Sequence, residues 1–100
     1  MCGAPDQDTL PALEVSAGEA VLHGHVLRDG TGVAGAYVRL LDGTGEFTAE
    51  VQTSATGYFR FYAADGEWTL RTLSRGAEPV DTTVKALKGQ AVEARVEVPA

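Results

Sequence analysis

The sequence predicts an all-β chain: a seven-stranded antiparallel β-sandwich with Greek-key connections. Three observations predict it. From Ala20 onward apolar and polar residues alternate with a period of two. Gly or Asp stands at nearly every break between the alternating runs, at a spacing of roughly ten residues. No segment carries the 3.6-residue period of a helix. The clearest stretch is Ser54 to Phe61 followed by Glu67 to Leu70. Phe59 and Phe61 share one face, Trp68 and Leu70 share one face, and Asp65-Gly66 turns between them.

Taken in order, the first strand spans about 20–28, with Leu22, Gly24 and Val26 on one face and Val21, His23, His25 and Leu27 on the other. Asp29-Gly30-Thr31-Gly32 reads as a turn, because Gly supplies positive φ and Asp bonds its own backbone. The second strand, about 36–42, alternates Ala36, Val38 and Leu40 with Tyr37, Arg39 and Leu41. After the turn Asp42-Gly43-Thr44-Gly45, the third, about 47–54, sends Phe47, Ala49 and Val51 one way and Thr48, Glu50 and Gln52 the other. The fourth, about 57–63, buries Phe59 and Phe61 and turns Tyr58, Arg60 and Tyr62 outward. The fifth, about 67–74, buries Trp68 and Leu70. The sixth, about 80–86, sets Val80, Thr82 and Val84 against Asp81, Thr83 and Lys85. The seventh, about 91–98, alternates Val92, Ala94, Val96 and Val98 with Glu93, Arg95 and Glu97.

Size and charge narrow the function. A chain of 100 residues makes one domain, here expected over residues 19–100. Residues 1–18 show neither period and read as a flexible N-terminal tail. The net charge is −6, from 14 acids and 8 bases scattered singly. Nucleic acid is therefore not an expected partner, since phosphate binding needs a basic stripe. No apolar run reaches the ~18 residues of a membrane helix, so no membrane association is expected. The N-terminus lacks the basic and apolar regions of a secretory signal. With a single cysteine, Cys2, no intramolecular disulfide can form. The expected location is cytoplasmic.

Two blocks carry a resemblance. One is Gly24-His25-Val26-Leu27-Arg28-Asp29-Gly30 continuing through Gly35-Ala36-Tyr37-Val38. The other is Thr53 to Phe61 with Gly66-Glu67-Trp68-Thr69-Leu70. Together they resemble the carboxypeptidase-regulatory-like, transthyretin-like (Ig-like) β-sandwich superfamily, which implies the fold and leaves function open. Met1-Cys2-Gly3, Val38-Arg39-Leu40-Leu41-Asp42 and Glu46-Phe47-Thr48-Ala49-Glu50-Val51 look like a family of short actinobacterial proteins labelled SseC-like, of unknown function. That family is linked by name to thiosulfate sulfurtransferase. The resemblance implies a place near sulfur transfer and a rhodanese-type sulfurtransferase as a partner.

Candidate chemistry is sparse. Cys2 is the sharp candidate: removal of Met1 would leave its thiol beside a free α-amino group, which when protonated lowers the thiol pKa. Such a thiol could accept a persulfide sulfur, or it is an incidental cysteine in a tail. His23 and His25, at i and i+2 on a strand, point the same way about 7 Å apart, a spacing some metal sites use. Two ligands do not complete a site, and two imidazoles on a solvated face is the plainer reading. Asp29, Asp42 and Asp65 each precede Gly, which is ordinary turn chemistry. Tyr37, Tyr58 and Tyr62, with Arg39 and Arg60, are the candidates for a protein-contact surface, since outward aromatics and Arg suit interfaces.

Enzyme signatures are otherwise missing. There is no Gly-x-Ser-x-Gly elbow and no phosphate loop. Transthyretin-like purine-pathway hydrolases end in Tyr-Arg-Gly-Ser, whereas this chain ends Val98-Pro99-Ala100. The reading is a small non-catalytic accessory or binding protein without cofactor, acting by protein contact. Two alternatives stay open: a persulfide carrier using Cys2 and served by a rhodanese-type partner, and a carbohydrate-binding module using the exposed tyrosines.

Overall fold

In the computed structural model, which describes residues 18–99, eight strands pair into two sheets. Strand β1 (Ala20–Arg28) is the centre of the first sheet. Strand β5 (Tyr58–Ala63) runs antiparallel along one side of it, and the short β2 (Thr31–Gly32) pairs with its end. Strand β8 (Ala91–Glu97) runs along the other side. The second sheet is antiparallel throughout, in the order β4 (Phe47–Gln52), β3 (Tyr37–Leu41), β6 (Gly66–Leu73), β7 (Val80–Ala86). The chain changes sheet between β2 and β3, β4 and β5, β5 and β6, and β7 and β8.

The period of two becomes the core. Leu22, Val26, Phe59, Phe61, Ala94 and Val96 of the first sheet meet Val38, Leu40, Val51, Leu70 and Val84 of the second, all buried. Trp68 is half-buried rather than buried: it packs on the core edge while its Nε1 donates to the Ala64 carbonyl at 2.9 Å. Thr72 is fully buried on β6, and its hydroxyl has no hydrogen-bond partner among the described residues.

Three features depart from the expected seven antiparallel strands. First, the Asp29-Gly30 turn is tighter than expected. Both residues have positive φ (52° and 78°), the type I′ geometry that matches strand twist. Thr31-Gly32 thereby becomes β2, the eighth strand. Second, β8 pairs with β1 in parallel, Val21 opposite Ala91 through Leu27 opposite Glu97. The cause is the turn before β8: the Gly89 amide donates to the Glu19 carbonyl and the Val21 amide donates to the Gln90 carbonyl. This delivers β8 beside the start of β1, so the two run in the same direction.

Third, a register shift between Leu40 and Leu41 places Leu41 opposite Phe47. Phe47 consequently leaves the core side it was expected to share with Ala49 and Val51, and is 62% exposed. Between β2 and β3, residues 33–36 form a loop braced by Thr53. The Thr53 hydroxyl donates to the Val33 carbonyl at 2.6 Å and accepts from the Ala36 amide at 2.9 Å. The expected tail, residues 1–18, lies outside the described residues apart from Gly18.

Candidate binding face

The outward-facing candidates fall on two opposite faces. Tyr37 and Arg39 lie on β3, on the outside of the second sheet. There Arg39 Nε donates to Glu50 Oε2 across the strand pair at 2.8 Å. One strand further, Arg71 grips Asp81 through two hydrogen bonds of 2.9 and 3.0 Å. This pairing holds the Asp81 carboxyl below the usual carboxylate range. Cross-strand acids thus neutralise these arginines, as in a solvated sheet face.

Tyr58, Arg60 and Tyr62 lie on β5, on the outside of the first sheet, and there the histidines join them. The antiparallel register sets His25 opposite Tyr58 and His23 opposite Arg60. The Tyr58 ring sits between both imidazoles, 5.3 Å from His25 edge-on and 6.0 Å from His23. Arg60 places its guanidinium carbon 5.6 Å from the centre of the same ring and donates to the Tyr58 hydroxyl at 3.3 Å. Tyr62 follows two residues on along the same face, near enough to act on the Arg60 guanidinium, and is 48% exposed. Ring-edge and cation-ring contacts of this kind hold each side chain at modest cost.

Burial is the main cause that pulls His23 below its ordinary pKa; Arg60 and His25 reinforce it and Glu93 opposes it. An imidazole partly stripped of water resists taking a proton.

The parallel strand β8 brings in residues that reading the sequence did not single out. Glu93 lies opposite His23 and Arg95 opposite His25. With Leu27 they line a shallow depression of about 250 Å³ beside His25. Their outward alternation was visible in the sequence, but nothing in it said that β1 would be the neighbour. Among the described residues no three His, Cys, Asp or Glu side chains group to hold a metal ion, so His23 and His25 gain no third ligand of these types. Cys2 lies outside the described residues.

A family model described as a protein of unknown function, DUF1416, matches residues 2–98. The chain belongs to the DUF1416 family. Relatives within reach of sequence comparison include two uncharacterized proteins of Mycobacterium tuberculosis strain H37Rv. Each is 58% identical over 76 residues, covering 74% of this chain and 76% of theirs.

Among solved structures, the Bacillus anthracis TIE protein matches 80% of the chain at a TM-score of 0.69 and 16% identity. Hydroxyquinol 1,2-dioxygenase from Pseudomonas putida matches all of it at 0.69 and 12%. A DUF3823 family protein from Parabacteroides merdae matches 83% at 0.60 and 23%. The chain spans only 16%, 63% and 47% of these proteins. At such identities the likeness of this DUF1416 member is one of fold, a β-sandwich shared with parts of larger proteins.

Proposed function

We propose that this protein is a non-catalytic binding module that engages a protein partner through the outer face of the β1–β5–β8 sheet. One observation supports this above the rest: His23, His25, Tyr58 and Arg60 are held together there by mutual ring and hydrogen-bond contacts, with Tyr62 exposed beside them on β5. Aromatic residues and Arg are the types enriched at interface centres. Prior ordering lowers the entropy cost of binding. The opposite face spends its arginines on cross-strand acids instead.

The test is a comparative pull-down with variants matched for melting temperature. Arg60→Glu or Tyr62→Ser should weaken partner capture by about tenfold or more, the scale of an interface hot spot. Arg39→Glu on the opposite face and Cys2→Ser should leave it unchanged. Loss of capture by Arg39→Glu, with Arg60→Glu silent, would put the contact on the wrong face and overturn the proposal.

A sulfur-carrier role is a separate reading, supported by Cys2 being the single thiol of the chain. Incubation with a rhodanese and thiosulfate should then add the mass of one sulfur atom, and Cys2→Ser should abolish the gain. An unmodified wild-type mass removes this reading without touching the first.

A further inference from the structure

We infer that a second site, at the C-terminal end of β1, binds a small organic anion, with Arg28 receiving its charged group. A cavity of about 320 Å³ lies there, lined by Arg28, Val33, Ala34, Ala36, Ser74 and Arg75 among others. It is distinct from the His–Tyr–Arg face, sitting where the 33–36 loop meets the loop after β6. Its size is at the lower end of small-molecule pockets, ~300–1,000 Å³, and larger than a lone inorganic oxyanion requires.

Charge points to the ligand class. The chain carries six more acids than bases (14 − 8). Ion pairs among the described residues include Arg39–Glu50, Arg71–Asp81 and Arg95–Glu97. Neither Arg28 nor Arg75 belongs to any of them, and both line this one cavity. Among the described residues, Arg28 is held in place by carbonyl and hydroxyl oxygens and not by a carboxylate. Its Nε donates to the Pro99 carbonyl at 2.9 Å, and its Nη2 donates to the Ser74 hydroxyl at 3.3 Å and to the Arg75 carbonyl at 3.5 Å. These bonds leave both hydrogens of Nη1 without an acceptor among the described residues. A positioned guanidinium with donors to spare is what carboxylate and phosphate groups bind.

The rest of the lining comes from the 33–36 loop, where Ala34 is exposed and Val33 half-buried. Val33 packs on the core and Ala36 is buried, and the Thr53 hydroxyl clamps the loop that carries them. An anionic head on Arg28 with a short hydrocarbon body against Val33 and Ala34 fits this lining.

Amide chemical-shift titration of the full chain with hexanoate, acetate and inorganic phosphate, at constant ionic strength, tests the site. Hexanoate should give saturable shifts at Ala34, Gly35, Ser74 and Arg75, at about tenfold lower concentration than acetate, because its extra methylenes are buried. Arg28→Gln should abolish them. Arg75→Gln leaves every contact of Arg28 intact and should weaken binding several-fold, so a folding defect in the first variant cannot decide the outcome. No saturable shift, equal response to acetate and hexanoate, preference for phosphate, or full affinity in Arg75→Gln would each overturn the assignment.

Discussion

Phe59 and Trp68 read alike in the sequence, both large aromatics on alternating strands, yet the sandwich uses them differently. Phe59 is fully buried and stacks at a tilt 6.3 Å from Phe61. Phe59→Ala should cost about 3–5 kcal/mol, a large part of the stability of a domain this small. Trp68 already shows part of its indole to solvent and anchors to Ala64 at the rim. Trp68→Ala should therefore cost clearly less, and chemical denaturation of the two variants side by side checks the order. Thr72 offers a test of opposite sign. Its buried hydroxyl has no partner among the described residues, so the near-isosteric Thr72→Val removes a desolvation penalty and should raise the unfolding midpoint. A lower midpoint would show that the hydroxyl is satisfied after all.

At the scale of elements, the β1–β8 pair decides the most. A Cβ on Gly24 would overlap the Ala94 carbonyl of β8, so the two backbones meet more closely there than any side chain permits. Gly24→Ala should break the parallel pairing. The expected signature is loss of amide-exchange protection along Ala91–Glu97 before that of the β3–β6 pair; uniform protection would refute it. The elements themselves were largely legible. Alternation located seven of the eight strands, because one face of each is buried and a slip by one residue would invert every side chain. Phe47 was misplaced because a bulge adds a residue to one strand of a pair, and its own strand carries no mark of that. The eighth strand was missed because two residues, Thr31 and Gly32, are too few to show a period.

For the molecule as a whole, pH dependence follows from His23. Its folded pKa lies below its ordinary value of 6.5, so the unfolded chain takes the proton first. The stability it contributes is fully present above about pH 6.5 and is lost as pH falls through that value toward the folded pKa. Stability should thus fall modestly between pH 7 and 5, and His23→Gln should flatten that slope in thermal melts. Asp42 and Asp81 are held below the carboxylate range, Asp42 chiefly by the Thr44 hydroxyl and Asp81 by Arg71. Their losses begin only below about pH 4 and do not blur the histidine window. An unchanged slope in His23→Gln would assign it elsewhere.

The residues alone decided the class of fold, most of its core and most of the side chains that face outward, Phe47 and Trp68 excepted, since burial acts through a local period and turn chemistry that a strand carries in its own letters. They also placed His23 with His25, and Tyr58 with Arg60 and Tyr62, by parity along single strands. They could not say that these two sets share one face while Tyr37 and Arg39 lie on the other. Nor could they say that Glu93 and Arg95 join the histidines, or that Arg28 and Arg75 meet at one cavity. Those juxtapositions depend on which strands pair across long stretches of chain. That choice is made by the packing of two sheets and the turns between them, and it exists only in three dimensions.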